Sequence, residues 1–89
     1  MRNIEKIELI VKGFASKRRI AILNLLRKQP ALDVETISER LDLGYKAVSE
    51  HLRKLHIAEL IEKEADGYYI LHTLTPRGKQ VVNFLARLR

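Results

Sequence analysis

Five polar side chains near the middle of the sequence share one side of a helix. Tyr45, Lys46, Ser49, Glu50 and Arg53 stand at relative positions 0, 1, 4, 5 and 8. Their types suit hydrogen-bonded reading of base edges. Lys46 and Arg53 can donate to guanine O6 and N7 or to phosphate, and Ser49 can donate or accept. Glu50 can accept from cytosine N4, and Tyr45 can contact phosphate or a thymine methyl. A major groove about 12 Å wide admits one helix with such a face. The opposite side carries Val48, Leu52 and Leu55 at i, i+4, i+7, the stripe such a helix would bury. Charges on a helix usually mean only a solvated face, and it is the motif around these residues that weighs against that explanation.

The charge balance points to the same partner. The 89 residues hold 17 Lys and Arg against 11 Asp and Glu, a net +6. An excess of this sign favours polyanions, of which nucleic acid is the commonest in a cell. It is uneven along the chain. Residues 1–29 carry eight basic and two acidic side chains, residues 30–59 four and six, and residues 60–89 five and three. Lys17, Arg18 and Arg19 open a helix, where the macrodipole disfavours cations. They are candidate phosphate contacts, with Lys54 and Lys63, although surface solubility accounts for any one of them alone.

Other chemistry finds little footing. There is no cysteine, so disulfides, thiolate metal sites, cysteine nucleophiles and iron–sulfur clusters are excluded. His51 and His56 are five apart and fall on different faces of one helix, while His72 falls on a strand, so no metal site and no cofactor is expected. Ser49 and His51 cannot face each other, and no glycine-rich phosphate loop is present, so no catalytic residue is expected. No apolar run approaches the ~20 residues of a membrane span, and no signal-peptide pattern opens the chain. A soluble, cytoplasmic protein without a membrane partner is the expectation.

The elements that must position these residues follow from periodicity. Compact domains run to about 100–150 residues, so residues 1–89 are expected to form a single domain. Residues 3–14 place Ile4, Ile7, Ile10, Val11 and Phe14 at helical spacing, with Gly13 weakening the end. Ser16 can cap a second helix with Ile20, Leu23 and Leu26 inward beside Ile22 and Leu25, stopped at Pro30. Asp33 can cap a short third helix with Ile37 and Leu41 inward. Leu43-Gly44 then breaks the period, and a fourth helix spans 45–58. Ala47 is small enough for a close crossing between the third and fourth. Strands over 60–64 and 68–74 meet through Asp66-Gly67, by a connection of two residues or four. Thr75-Pro76 opens a last helix over 76–88. The expected fold is α+β and mostly helical: a winged helix-turn-helix with a three-helix core, a two-stranded hairpin wing and flanking terminal helices.

With these residues in place, the stretch Ser16–Val82 resembles the ArsR/MarR-type winged-helix transcriptional regulators. The matching passages are SKRRIAILNLL, LDLGYKAVSEHLRKL, ELIEKEADGYY and LTPRGKQVV, about three-quarters of the chain. The resemblance implies sequence-specific binding to double-stranded DNA by a homodimer, most often a repressor and often under a small ligand. It places the fourth helix in the major groove, with Tyr45, Lys46 and Ser49 nearest the bases. Two features depart from that pattern. Glu50 stands where basic side chains are common. The wing has Lys63 as its one basic residue against Glu62, Glu64 and Asp66, so it is expected to contribute little phosphate contact. Metal-sensing relatives carry Cys on the helix-turn-helix, or Asp, His and Glu on the C-terminal helix; this chain has neither set.

The terminal helices carry more apolar residues than a three-helix core needs. Ile4, Ile7, Ile10, Val11 and Phe14, with Val81, Phe84, Leu85 and Leu88, are candidates for a dimer interface, or they simply cover the protomer core. Two other functions fit the pattern less closely: a winged-helix module for protein–protein contact, consistent with the acidic wing and Glu50, and an architectural DNA binder of low sequence specificity. No residue pattern identifies an effector.

Overall fold

Ser16, Asp33 and Thr75 each start a helix by accepting a backbone N–H three residues on, from Arg19 at 3.4 Å, Thr36 at 3.0 Å and Gly78 at 3.0 Å. The structure is a computed structural model that describes residues 3–88. Its elements are α1 (Ile4–Phe14), α2 (Lys17–Lys28), α3 (Val34–Leu41), α4 (Tyr45–Ile57), β1 (Ile61–Asp66), β2 (Tyr69–Leu74) and α5 (Pro76–Ala86). This is the expected helix, helix, helix, turn, helix, hairpin, helix order.

One core joins them. Ile22, Leu23 and Leu26 from α2 meet Ile37 from α3, Val48, Leu52 and Leu55 from α4, Leu60 and Ile61 at the wing base, and Val82 from α5, all essentially without solvent contact. Each such aliphatic side chain contributes about 1.5–3 kcal/mol on burial. Ile20 and Leu25 are only half-buried, because the inward stripe of α2 centres on Ile22, Leu23 and Leu26.

The close approaches lie elsewhere than expected. Ala47 is exposed, so the α3–α4 crossing does not depend on it. Instead a Cβ at Gly13 would collide with the Ala58 side chain, and one at Gly78 with the Leu60 carbonyl. Gly13 thus lets α1 sit on the end of α4, and Gly78 lets α5 sit on the chain entering the wing. In the helix-turn-helix, the residue in the left-handed region is Asp42 (φ 52°), not Gly44, which takes an ordinary extended conformation (φ −64°). Aspartate tolerates that region better than most residues.

The hairpin settles the register. Ile61 pairs with Leu74 and Asp66 with Tyr69, leaving a two-residue connection of Gly67 and Tyr68, one position later than Asp66-Gly67. Gly67 has φ 63°, as a turn with glycine at its first central position requires. A third strand-like contact was not anticipated. Leu32 and His72 exchange both backbone hydrogen bonds, at 2.8 and 3.2 Å. The His72 ring is buried, and its Nδ1 lies 2.9 Å from the Leu32 carbonyl. Burial pushes this imidazole below its ordinary pKa, so the neutral ring donates from Nδ1.

Candidate nucleic-acid interface

The α4 stripe of Val48, Leu52 and Leu55 faces the core, which turns the polar side outward. Tyr45 and Lys46 are exposed in its first turn, Ser49 is half-exposed, and Glu50 and Arg53 are exposed further along. All five base-reading candidates thus lie on one accessible surface. Two of them are not independent. Arg53 donates from Nε and Nη2 to the Glu50 carboxylate, the shortest contact being 2.6 Å. The pairing draws Glu50 below the usual carboxylate range and raises Arg53. The i,i+3 spacing already carries that signal. In the free protein Glu50 and Arg53 therefore present a dipole rather than two separate reading groups.

Beside α4 lies a positive flank built by the start of α2. The His51 imidazole is held below its ordinary pKa first by burial, then by the charges of Arg19, Arg18 and Lys54. Two of the three clustered cations of α2, with Lys54, thus act on one ring of α4. The flank is incompletely satisfied, since Arg19 Nε and His51 Nδ1 are shielded from solvent without a hydrogen-bond partner. Arg19 and Lys54 also border a depression of about 310 Å³ with Leu9, Gly13 and Ile57. Lys17, Arg18, Arg19, Lys46 and Lys54 form no ion pair with any described carboxylate.

The other basic residues are differently disposed. Lys63 pairs across the hairpin with His72, on the face opposite the wing's acidic row. Arg77 is held by Glu59 at 2.9 Å, and Lys6 reaches the same carboxylate at 3.8 Å. Glu59 itself adopts φ 60°, and its carbonyl accepts the Thr75 hydroxyl at 2.7 Å. Nothing in the local sequence announces this node, because its partners lie far away in the chain.

The dimer candidates divide. Ile4, Ile7, Val11, Phe84 and Leu88 are exposed, Ile10, Phe14 and Leu85 pack half-buried on the core, and Val81 is buried within the protomer. Val81 is therefore not accessible to a second subunit as the sequence suggested, since it joins the protomer core. Among the described residues no three His, Asp or Glu side chains gather where they could hold a metal. Among the same residues no helix is long and apolar enough to cross a membrane.

Three apolar-cored helices, a tight left-handed turn, a hairpin wing and an open polar helix define a winged helix-turn-helix DNA-binding protein. Residues 16–63 match the model of the bacterial regulatory protein arsR family. The chain belongs to the arsR family of bacterial regulatory proteins, DNA-binding regulators of transcription. It is 31% identical to the transcriptional activator HlyU of Vibrio cholerae over 98% of this chain and 81% of that protein. A solved structure of that HlyU superposes with TM-score 0.85, covering 98% of this chain and 95% of the other. The transcriptional repressor PagR of Bacillus anthracis is 28% identical, with TM-score 0.82 over 92% and 94% of the two chains. The homodimeric winged helix-turn-helix domain of Mb0332 from Mycobacterium bovis shares the fold at 24% identity, with TM-score 0.82 over 97% and 84%. One of these relatives is an activator and one a repressor, so family membership leaves the sign of regulation open.

Proposed function

We propose that this chain, acting as one DNA-binding domain over its whole length, reads duplex DNA sequence-specifically by inserting α4 into the major groove. Tyr45, Lys46 and Ser49 meet base edges, with Glu50 and Arg53 at the far end of the same face. Lys17, Arg18, Arg19 and Lys54 neutralise phosphate. The observation that carries this reading is the pairing of an open polar face on α4 with an adjoining cluster of cations that no described carboxylate neutralises. Lys63 makes at most a peripheral phosphate contact, because the wing around it is acidic. The protein works in the cytoplasm and is nucleoid-associated when bound.

The active species is a homodimer. The exposed Ile4, Ile7 and Val11 of α1, with Phe84 on α5 and Leu88 just beyond it, supply the apolar surface for it. Two recognition helices then lie about 34 Å apart, one turn of duplex, and call for an inverted-repeat operator. Whether occupancy represses or activates follows from where that operator lies relative to the promoter.

Selection from random duplex oligonucleotides tests the proposal. The expected result is an inverted repeat with half-sites about 10 base pairs apart. The log–log salt dependence should have a slope of about −0.9 per phosphate contact. Enrichment of no motif, with salt-dependent binding retained, replaces specific regulation by architectural binding. A strict monomer in light scattering at high micromolar concentration removes the dimer.

A further inference from the structure

The wing and α3 together form a second surface whose chemistry opposes that of the α2–α4 flank. Residues directly paired across a hairpin share a face, so Glu64 and Asp66 stand beside Leu71 and Tyr69, and Glu62 continues the row. The opposite face carries the buried Ile61 and His72, which makes the acidic row the outward one. Two adjoining depressions of about 430 and 250 Å³ run between α3 and β2 and share Asp33, Glu35 and Tyr69. Glu39 lines the first and Tyr45 the second, and among the described residues no basic side chain lines either. Tyr68 and Tyr69 are exposed at the end of this cleft.

The strand edge facing the cleft is open. His72 directs its N–H and C=O away from β1 to Leu32. By the two-residue period of a strand, Ile70 directs its own groups the same way. The Leu32–His72 bridge is isolated, since the chain turns into α3 immediately afterwards, so no described residue pairs with Ile70 on that side. Its side chain is exposed as well. An unpaired strand edge is a template for an added strand.

We infer that the cleft between α3 and β2 docks an extended, basic segment of a partner protein. The segment adds as a strand along Ile70 and sets lysine or arginine against Asp33, Glu35 and Glu39. Charge complementarity fixes this occupant. The carboxylates of α3 and its cap, with the acidic row of β1 on the neighbouring wing, repel nucleic acid, and the basic stretches of this chain's own α1 and α2 are helical, so a second copy offers no such strand from them. The contact depends on Asp33, Glu35, Glu39 and the Ile70 edge, and Tyr45 is the one lining residue it shares with the proposed duplex face.

The test uses the full chain and a fluorescent synthetic peptide of alternating lysine and valine, followed by anisotropy and by backbone amide NMR shifts. Shifts are expected at Tyr69–Leu71 and Asp33–Glu35. Affinity should fall by about tenfold for the doubly substituted Glu35→Gln/Glu39→Gln protein. It should fall by a similar factor, roughly tenfold, when the peptide is N-methylated on alternate residues, which removes main-chain donors without altering charge. Equal binding by the substituted protein, or by the methylated peptide, overturns the inference. So do shifts confined to another surface, or displacement of the peptide by random duplex DNA from the cleft itself.

Discussion

The α2–α4 flank and the α3–wing flank border the same recognition helix and differ in what they leave unneutralised. On the first, the charges of Arg18, Arg19 and Lys54 act on His51, and none of the three finds a described carboxylate. On the second, Asp33, Glu35, Glu39 and the row Glu62, Glu64, Asp66 face solvent around exposed tyrosines. A winged helix can use either side to hold a duplex. On the proposed reading, charge gives phosphate to one flank and denies it to the other. The scaffold fixes where the helix points, and surface charge fixes which neighbours it can share a duplex with.

Changes on the positive flank should have the largest effect. Replacing Lys17, Arg18 and Arg19 together with Gln should weaken binding to every duplex by on the order of a hundredfold near physiological salt. The log–log salt slope should flatten by about 2.7, or 0.9 for each contact. An unchanged slope would mean that these cations serve solubility only.

Glu50→Gln comes next. It frees Arg53 from its carboxylate, and one gained phosphate contact should tighten random-duplex binding by about fivefold and steepen the slope by about 0.9. If affinity falls instead, with loss of preference at one cytosine, Glu50 reads a base directly and Arg53 supports it.

A smaller effect should come from pH. In the free protein, burial and the neighbouring cations disfavour the charged His51, whereas a phosphate placed on that flank favours it. The bound state then holds more protons than the free one. Affinity should rise as pH falls through the region around and below the ordinary histidine value of about 6.5, by roughly threefold over two units. His51→Gln should abolish the trend at constant ionic strength. The smallest effect is expected at Lys63→Ala, which should change duplex affinity by less than about twofold, since it removes at most one exposed charge from an acidic wing. A larger loss would restore the wing as a DNA contact and erase the contrast between the flanks.

Much of this was legible in the sequence, because the signals are local. Ser16, Asp33 and Thr75 announce helix starts through their own side chains, and Val48, Leu52 and Leu55 announce a face by spacing alone. The turn was misplaced by one residue because an Asp-Gly pair suits a turn with two left-handed positions. The observed register instead makes Gly67 the first central residue and keeps Ile61 and His72 inward. The Leu32–His72 bridge spans 40 positions and leaves no periodic trace. The same holds for Glu59, whose partners Lys6 and Arg77 come from opposite ends of the chain. The basic cluster on α2 was visible, but its nearness to His51 is a product of the tertiary packing.

Gly13 brings the α1 backbone against the Ala58 methyl at the end of α4, and Gly78 brings the α5 backbone against the Leu60 carbonyl at the wing base. Such seams leave no long side chain between the packed backbones that could yield, so each protomer should behave as a stiff jaw rather than a hinged one. The gap between two recognition helices in a dimer would then be set almost wholly where the jaws meet. Operators with one base pair inserted between half-sites should be rejected sharply, not accommodated by flexing.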